Sequence, residues 1–413
     1  VTEDPRNSRP TTGTANGLDG PLHGVRVLDI ATVYAAPFAA SVLADLGADV
    51  VKVELPGSGD PLRALQPFDG EESLTWSTVS RNKRCVTLDL HTEAGQALLL
   101  RLVREQDVMF ENFRPGTLDR WGLSISQLRE ANPDLVVVRV SGYGQTGPYR
   151  DKAGFGTPAT AYSGYAYISG SPGHPPSVPP ISLADYVSGL FAAIGALASL
   201  YRRDVFGGRG QEVDVALYES MFRLQEALVA QYDRLGVVQE RHGDQLGASA
   251  PTGTFRTADE VWMVLTTSTE RTFRRLARAI DRTDMLDDSR FSSNKARVEH
   301  RSETNAIVGE WFARHDASVI QALFDDNGVP VSRVMNMADI FAEPHYAARD
   351  MIVEVDHPKF GTIRMPGVVP KFSETPGSVR TAGARLGEHN YEVYEALGLG
   401  EDEIDDLMEK GVI

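Results

Sequence analysis

Short runs of Val, Leu and Ile recur along the first half of the chain, each followed by a stretch with helical spacing. VRVLDI over 25–30 reads as a strand; Pro37 is placed to open a helix as its first residue, running to about Asp45, and Gly47 ends it. DVVKVE over 49–54 is the second strand. The cycle repeats with CVTLDL (85–90), a helix capped by Thr92 that reaches about Gln106, and DVMFEN (107–112). Ser124 with Gln127 makes a capping-box pattern ahead of a short helix, and LVVVRVSG (135–142) follows as a strand. Strands apolar at nearly every position suit a sheet covered on both faces. Their alternation with helices predicts parallel strands joined by crossover helices, an α/β class with a Rossmann-like large domain.

Residues 143–184 are rich in Gly, Pro, Ser and Tyr and suit loops around a site. Asp185 closes this stretch. Leu190, Ile194, Leu197 and Tyr201 then recur as one helical face, expected to be buried, until GGRG (207–210) stops the helix. Its apolar part, Val187 to Tyr201, falls short of the roughly 20 residues that span a bilayer, so no membrane partner is expected. QEVDVALYES (211–220) is a strand running into another helix. After about Gly247 come a hairpin-like FRTADEVWMVLTTS, a helix from Glu270 and a basic helical stretch to about Phe324. GVPVSRVMN (328–336) and MIVEV (351–355) resume strands, and the last, roughly 35-residue segment holds two acidic amphipathic helices. The division this predicts is a flexible arm over 1–20, a large domain from 21–225 and 356–413, and a smaller α/β domain over 226–355.

Charge changes the picture. Lys and Arg total 41 against 57 Asp and Glu, a net charge of −16, which disfavours nucleic acid and anionic membrane as partners. An anionic ligand must then be met by local cations. RNKR (81–84) reads as a solvated turn or a phosphate contact, with Arg114 and Arg120 in NFRPGTLDRWG just past the carboxyl end of a strand, where open α/β sheets bind ligands. The single cysteine, Cys85, excludes a structural zinc cluster or an intrachain disulfide, reads as a small buried hydrophobe, and fits a reducing cytoplasm. The first strand turn carries ATVYAAP in place of GxGxxG, and GxxxxGK[ST], HExxH and GxSxG are absent, so neither a dinucleotide cofactor nor those hydrolase chemistries have support. Asp185, ahead of a helix, reads as an N-cap or as an accessible ionised carboxylate, and both stay open.

In order along the chain, LADLGADVVKVE with GSGDPLR (42–63), RNKRCVTLDL (81–90), DVMFENFRPGTLDRWGL (107–123), SGYGQTGPY (141–149), LADYVSGL (183–190), GRGQEVDVAL (208–217) and LGEHN resemble the class III coenzyme A transferases. That superfamily holds formyl-CoA transferase, carnitine CoA-transferase and α-methylacyl-CoA racemase. The resemblance implies an intertwined, ring-like homodimer, coenzyme A or acyl-CoA as substrate with no tightly bound cofactor or metal, and Asp185 as the nucleophile. It places coenzyme A contacts on Val33, Tyr34 and Ala35, on Leu88, Asp89, Leu90 and His91, on Asn112, Phe113, Arg114 and Arg120, and on Gly154, Phe155, Gly156 and Thr157. His91 stands where relatives often have lysine, and Leu55 lies near a position often basic, so phosphate contacts are expected to shift to Lys83 or Arg63.

The resemblance also implies a mechanism: Asp185 forms a mixed anhydride with the acyl group, the released thiolate converts it to an aspartyl-CoA thioester, and an acceptor acid takes over the CoA. An aspartate with an ordinary pKa near 3.9 is charged at neutral pH and needs no general base. The superfamily's racemases pair the equivalent aspartate with a histidine in a GHD-like motif; here Gly154, Phe155 and Gly156 align with it. Phe155 disfavours two-base racemisation, with Asp185 as a base and His174 the substitute partner, and a non-catalytic CoA-binding protein is the third reading. GASAPTGTF (247–255) lacks the glycine-rich loop of formyl-CoA transferases. Tyr143, Tyr162 and Tyr165 are expected near the acid's pocket.

Overall fold

The computed structural model describes residues 20–245 and 247–413; the arm expected over 1–20 lies, except for Gly20, outside them. Six strands form the central sheet: β1 (Arg26–Asp29), β2 (Asp49–Glu54), β3 (Lys83–Thr87), β4 (Val108–Glu111), β5 (Val136–Ser141) and β6 (Glu212–Ala216). All pairings are parallel, in the order β3-β2-β1-β4-β5-β6. Successive strand residues face opposite sides. Val27, Val50, Val108, Val136 and Val138 pack beneath α1 (Ala35–Asp45) and a long helix described below, while Leu28, Val51, Val86, Met109 and Val137 meet α2 (Glu93–Val103), α3 (Ile125–Ala131) and the C-terminal helices. Each such fully buried side chain contributes about 1.5–3 kcal/mol.

The caps predicted for α2 and α3 are present: Thr92 Oγ1 accepts from the Gly95 N–H at 3.0 Å, and Ser124 and Gln127 close their box. Pro37 is the third residue of α1, which opens at Ala35. The C-terminal segment returns to the β3 edge, where Asn390 brackets Thr87 and the Tyr394 hydroxyl donates to the Thr87 carbonyl at 2.7 Å.

Two expectations are corrected. RNKR is no solvated turn: Arg81 pairs with Asp45 at 2.6 Å, Lys83 with Asp29 at 2.8 Å and Arg84 with Asp49 at 2.7 Å. The helix carrying Asp185, α5 (Leu183–Phe206), has 24 residues and is, among the described residues, the one long and apolar enough to cross a bilayer. Up to Ala196 its buried face is made of small residues, Ala184, Ser188, Gly189, Ala192, Ala193 and Ala196, which let it lie close on α1, and Ser199, Leu200 and Arg203 continue it. Leu190, Ile194 and Tyr201, expected inside, are 49%, 59% and 61% exposed.

The chain separates into two compact units. The first holds the described residues up to Ser163, Pro179–Glu226 and Ala347–Ile413; the second holds Gly164–Val178 and Ala227–Tyr346. A boundary at 355 would cut the hairpin Ile352–His357/Gly361–Pro366, which stays with the first unit because His357 Nε2 shares a 3.2 Å hydrogen bond with Ser77 and Lys359 pairs with Glu72. In the second unit an antiparallel sheet of Thr252–Arg256, Trp262–Thr266 and Val331–Arg333 packs on helices Glu270–Ala279, Arg301–Phe312 and Ala317–Asn327 through Phe255, Met263, Leu276, Phe312 and Phe324. The buried Arg297 donates to the Ala250 and Phe291 carbonyls there, each at 2.8 Å.

Candidate active site

In an open parallel sheet, a crevice forms beyond the carboxyl ends of two neighbouring strands whose connections depart in opposite directions. Here those strands are β1 and β4. The loops that leave them are laced together: the Thr32 N–H donates to Asn112 Oδ1 at 2.8 Å, and Asn112 Nδ2 donates back to the Thr32 carbonyl at 2.7 Å. Val33 follows with φ of +66°, in the left-handed region that β-branched residues rarely occupy. Its N–H is held by the buried Asp60 carboxylate at 3.0 Å.

Asp185 arrives from the other side of the crevice. It is the third residue of α5, behind Ser182, so it is not the N-cap; it sits in the first turn, where the positive end of the helix favours a carboxylate. Glycines allow the approach. A Cβ on Gly189 would lie 2.6 Å from the Ala35 carbonyl, and one on Gly156 would lie 2.1 Å from Asp185 Oδ2. Gly142 and Gly154 touch backbone to backbone, each blocking a Cβ on the other. Apart from its own amide, the Asp185 carboxylate has no hydrogen-bond or ion-pair partner among the described residues. Burial therefore pushes its pKa up to about 6. It remains mostly ionised at pH 7, at roughly nine parts in ten. The rings of Tyr34 and Tyr186 lie beside it, 5.8 Å apart.

Asp185 lines a cavity of about 380 Å³ together with Val33, Tyr34, Ala35, Asn112, Phe113, Arg114 and Gly154 to Thr157. These are the residues that the sequence placed at the site from four separate segments. Leu88, Leu90 and His91 line an adjoining cavity of about 260 Å³, and Thr32 and Phe113 border both. Two candidates stand apart. Asp89 is on neither wall, accepting instead from the His91 backbone N–H at 3.0 Å, and Arg120 turns back to Thr117 Oγ1 at 2.8 Å.

The suggested replacements for phosphate contacts are already engaged. Lys83 is fully buried between Asp29 and the Pro37 carbonyl, and burial holds its pKa below the usual lysine value. Arg63 makes a two-pronged bond to Glu54 at 2.7 and 2.8 Å and stacks on Trp76. His91 stays at the surface of its cavity, edge-on to Trp121 with ring centres 4.7 Å apart.

Sequence reasoning missed Thr32, Ser141, Gly142, Arg150, Lys152 and Ser182 on the main cavity wall. The clustered cations of YRDK (149–152) were the available signal. With Arg114, which has no side-chain partner among the described residues, they put three cations around the cavity of an acidic protein. Tyr143 and Tyr162 stack edge-on at 5.3 Å, away from the lining of that cavity, and Tyr165 and His174 belong to the second unit.

The sequence profile of CoA-transferase family III matches residues 22–390. A succinyl-CoA–L-malate CoA-transferase beta subunit from Chloroflexus aurantiacus is 44% identical over 97% of this chain and all of its own length. A succinyl-CoA–D-citramalate CoA-transferase from the same organism is 42% identical over 95% of this chain and 98% of its own. The crystal structure of a CAIB/BAIF family protein from Brucella suis superposes with a TM-score of 0.79 at 31% identity, covering 92% of this chain and all of that one.

Proposed function

The chain belongs to CoA-transferase family III and moves coenzyme A between acyl-CoA thioesters and carboxylic acids, and we propose that Asp185 is the carboxylate that does so. The observation carrying this is an ionised, unpartnered carboxylate on the wall of a cavity at the sheet's switch point. An Asp185 oxygen attacks the thioester carbon; the C–S bond breaks, leaving a mixed anhydride and CoA thiolate. The thiolate attacks the Asp185 carboxyl carbon and releases the donor acid. An acceptor carboxylate then displaces the thiolate to form a second anhydride, and thiolate attack on its acyl carbon yields the new acyl-CoA and restores Asp185.

Coenzyme A lies along the two adjoining cavities of the large domain, with Val33 to Ala35 and Asn112 to Arg114 between nucleotide and thioester, and the Arg114 guanidinium and the His91 ring facing its phosphates. The relatives named above support succinyl-CoA as donor and a small dicarboxylic acid as acceptor, and Arg150 and Lys152 supply charge for the second carboxylate. No histidine lines the Asp185 cavity among the described residues, and Phe155, 72% exposed, is on its wall where a second base would be needed. An interlocked homodimer accounts for the uncovered apolar face of α5 and, in the second unit, for Val229, Tyr232 and Leu235 on a helix with no buried residue.

The test is a matrix of acyl-CoA donors against mono- and dicarboxylic acids, with Asp185→Ala alongside. Transfer from succinyl-CoA to a dicarboxylic acid, lost in the variant, is expected. Transfer that persists at the wild-type rate in Asp185→Ala would remove the nucleophile from this reading.

A further inference from the structure

We propose that Asp60 is a positioning residue for the reaction, holding the strained turn Thr32 to Tyr34 in the shape that walls the Asp185 cavity. This rests on the reading of Asp185 as the nucleophile, and it concerns a residue that touches no reacting atom.

The turn has a strained backbone and a dedicated tether. A valine at φ +66° is disfavoured because its branched Cβ crowds the backbone, and residues kept in such regions persist only when their surroundings over-determine them. Asp60 is what over-determines Val33. Its side chain is about 1% exposed and its two oxygens accept from the Val33 N–H at 3.0 and 3.3 Å. The same carboxylate accepts from the Leu62 N–H at 2.8 Å, capping the 3-10 turn Pro61–Ala64, and pairs with Lys52 Nζ at 3.0 Å. Lys52 is itself fully buried and donates to the Ala31 carbonyl, so one ion pair grips the strand end on both sides of Thr32.

The tether is rigid in turn. The Asp60 N–H donates to Glu54 Oε2 at 2.9 Å, and Arg63 clamps Glu54. A buried carboxylate with this many donors is expensive to build without a purpose beyond packing. Its pKa is lowered, since Lys52 and the two amides outweigh the burial that opposes them.

What the tether protects is the reacting geometry. Val33 and Tyr34 line the Asp185 cavity, Tyr34 lies against Tyr186, and α1 starts at Ala35, against whose carbonyl Gly189 of α5 packs. If residue 33 relaxes to negative φ, the first turn of α1 and the Tyr34 ring move with it. A displacement of about 1 Å at such a site costs on the order of 100-fold in rate.

The test uses the full-length protein and separates holding the turn from general stability. Asp60→Ala removes the acceptor; Asp60→Asn keeps an oxygen for the Val33 N–H but not the ion pair. Val33→Gly, combined with Asp60→Ala, supplies a residue to which φ +66° is no strain. Expected for Asp60→Ala is a loss of roughly 30- to 100-fold in kcat/KM at a temperature where circular dichroism shows it folded, a smaller loss for Asp60→Asn, and recovery of at least fivefold in the double variant without recovery of Tm. An Asp60→Asn variant with wild-type kinetics, or a folded Asp60→Ala that Val33→Gly does not rescue, overturns the proposal. If Asp60→Ala does not fold, Asp60→Asn with and without Val33→Gly decides by the same criterion. Failure here leaves Asp185→Ala inactive, whereas failure of the nucleophile reading shows as an active Asp185→Ala.

Discussion

Replacing Gly156 by alanine isolates the geometry of the proposed nucleophile, Asp185, from its chemistry. The added Cβ would sit 2.1 Å from Oδ2 and 3.0 Å from Cγ of Asp185. Gly156 is not among the glycines with positive φ and opens α4 (Gly156–Tyr162), so the backbone accepts alanine there. The strain falls on the end of a short side chain, which can swing away at a rotamer cost of about 0.5–1.5 kcal/mol. To regain ordinary contact the carboxylate oxygen must retreat by more than about 1 Å, a displacement worth on the order of 100-fold, or about 2.7 kcal/mol of barrier. The expected outcome is a melting temperature within a few degrees of wild type and kcat/KM for the acyl-CoA donor reduced about 100-fold, read by chromatographic product formation. Gly154→Ala is the contrast: its Cβ would meet the Gly142 Cα at 2.5 Å, backbone against backbone, and here stability is lost first. The reasoning is refuted if Gly156→Ala keeps activity within about threefold of wild type, or if the two variants lose stability alike.

Asp185→Asn should be inactive and yet more stable at neutral pH. Folding raises this carboxyl from 3.8 to about 6, so the native state binds its proton more tightly than the unfolded chain; the ionised group costs up to about 3 kcal/mol above pH 6, and almost nothing below about pH 3, where both states are protonated. Denaturant titrations at about pH 3 and pH 7.5 would show the variant's advantage only at the higher pH, and an advantage equal at both would contradict the assignment. In wild type, kcat/KM should climb with pH up to about 6 and then level. Arg114→Ala should raise KM for acyl-CoA roughly tenfold with kcat little changed, as the proposed phosphate contact of this exposed arginine requires; a fall in kcat at unchanged KM would place Arg114 at the reacting centre instead.

The sheet was legible because its central strands, such as Val136–Ser141, carry runs of Val, Leu, Met and Phe that a two-sided cover explains. Less legible was which face of a helix is inward. Leu190, Ile194 and Tyr201 carry the periodicity of a core stripe, but α5 packs through Ala and Gly because its backbone must come close to α1. Hydrophobic spacing finds a stripe without saying what covers it. The segments of the site were visible through resemblance, and the crevice joins Val33, Asn112, Gly156 and Asp185 across more than 150 positions of sequence. The charges divided differently. RNKR and YRDK look alike in sequence, yet the first is consumed by Asp45, Asp29 and Asp49, and the second remains on the cavity. Only the register of β2 and β3, which sets Lys83 opposite Val50 and over Asp29, separates them.

That separation bears on how a carboxylate can serve both as nucleophile and as leaving group. In the mechanism proposed above, each transfer passes through bonds between Asp185 and an acyl carbon or a sulfur, and each must form and break at comparable rates. A solvated aspartate near 3.9 is a far weaker base than a thiolate near 8.5, so a thiolate is displaced by it with difficulty. Burial at the start of α5 lifts Asp185 to about 6 and roughly halves that gap, while leaving it mostly charged at pH 7. A cation paired directly with it would undo the gain by lowering the pKa again. The lysines nearest the sheet ends are locked onto Asp29 and Asp60, while Arg114, Arg150, which pairs with Asp151, and Lys152, which lies over the Tyr149 ring, share the cavity without bonding the Asp185 carboxylate. On this argument, introducing a lysine at Ser182, the adjoining wall residue, should depress the Asp185 pKa and slow transfer even where acyl-CoA binds more tightly, moving the pH profile to lower pH as the rate falls.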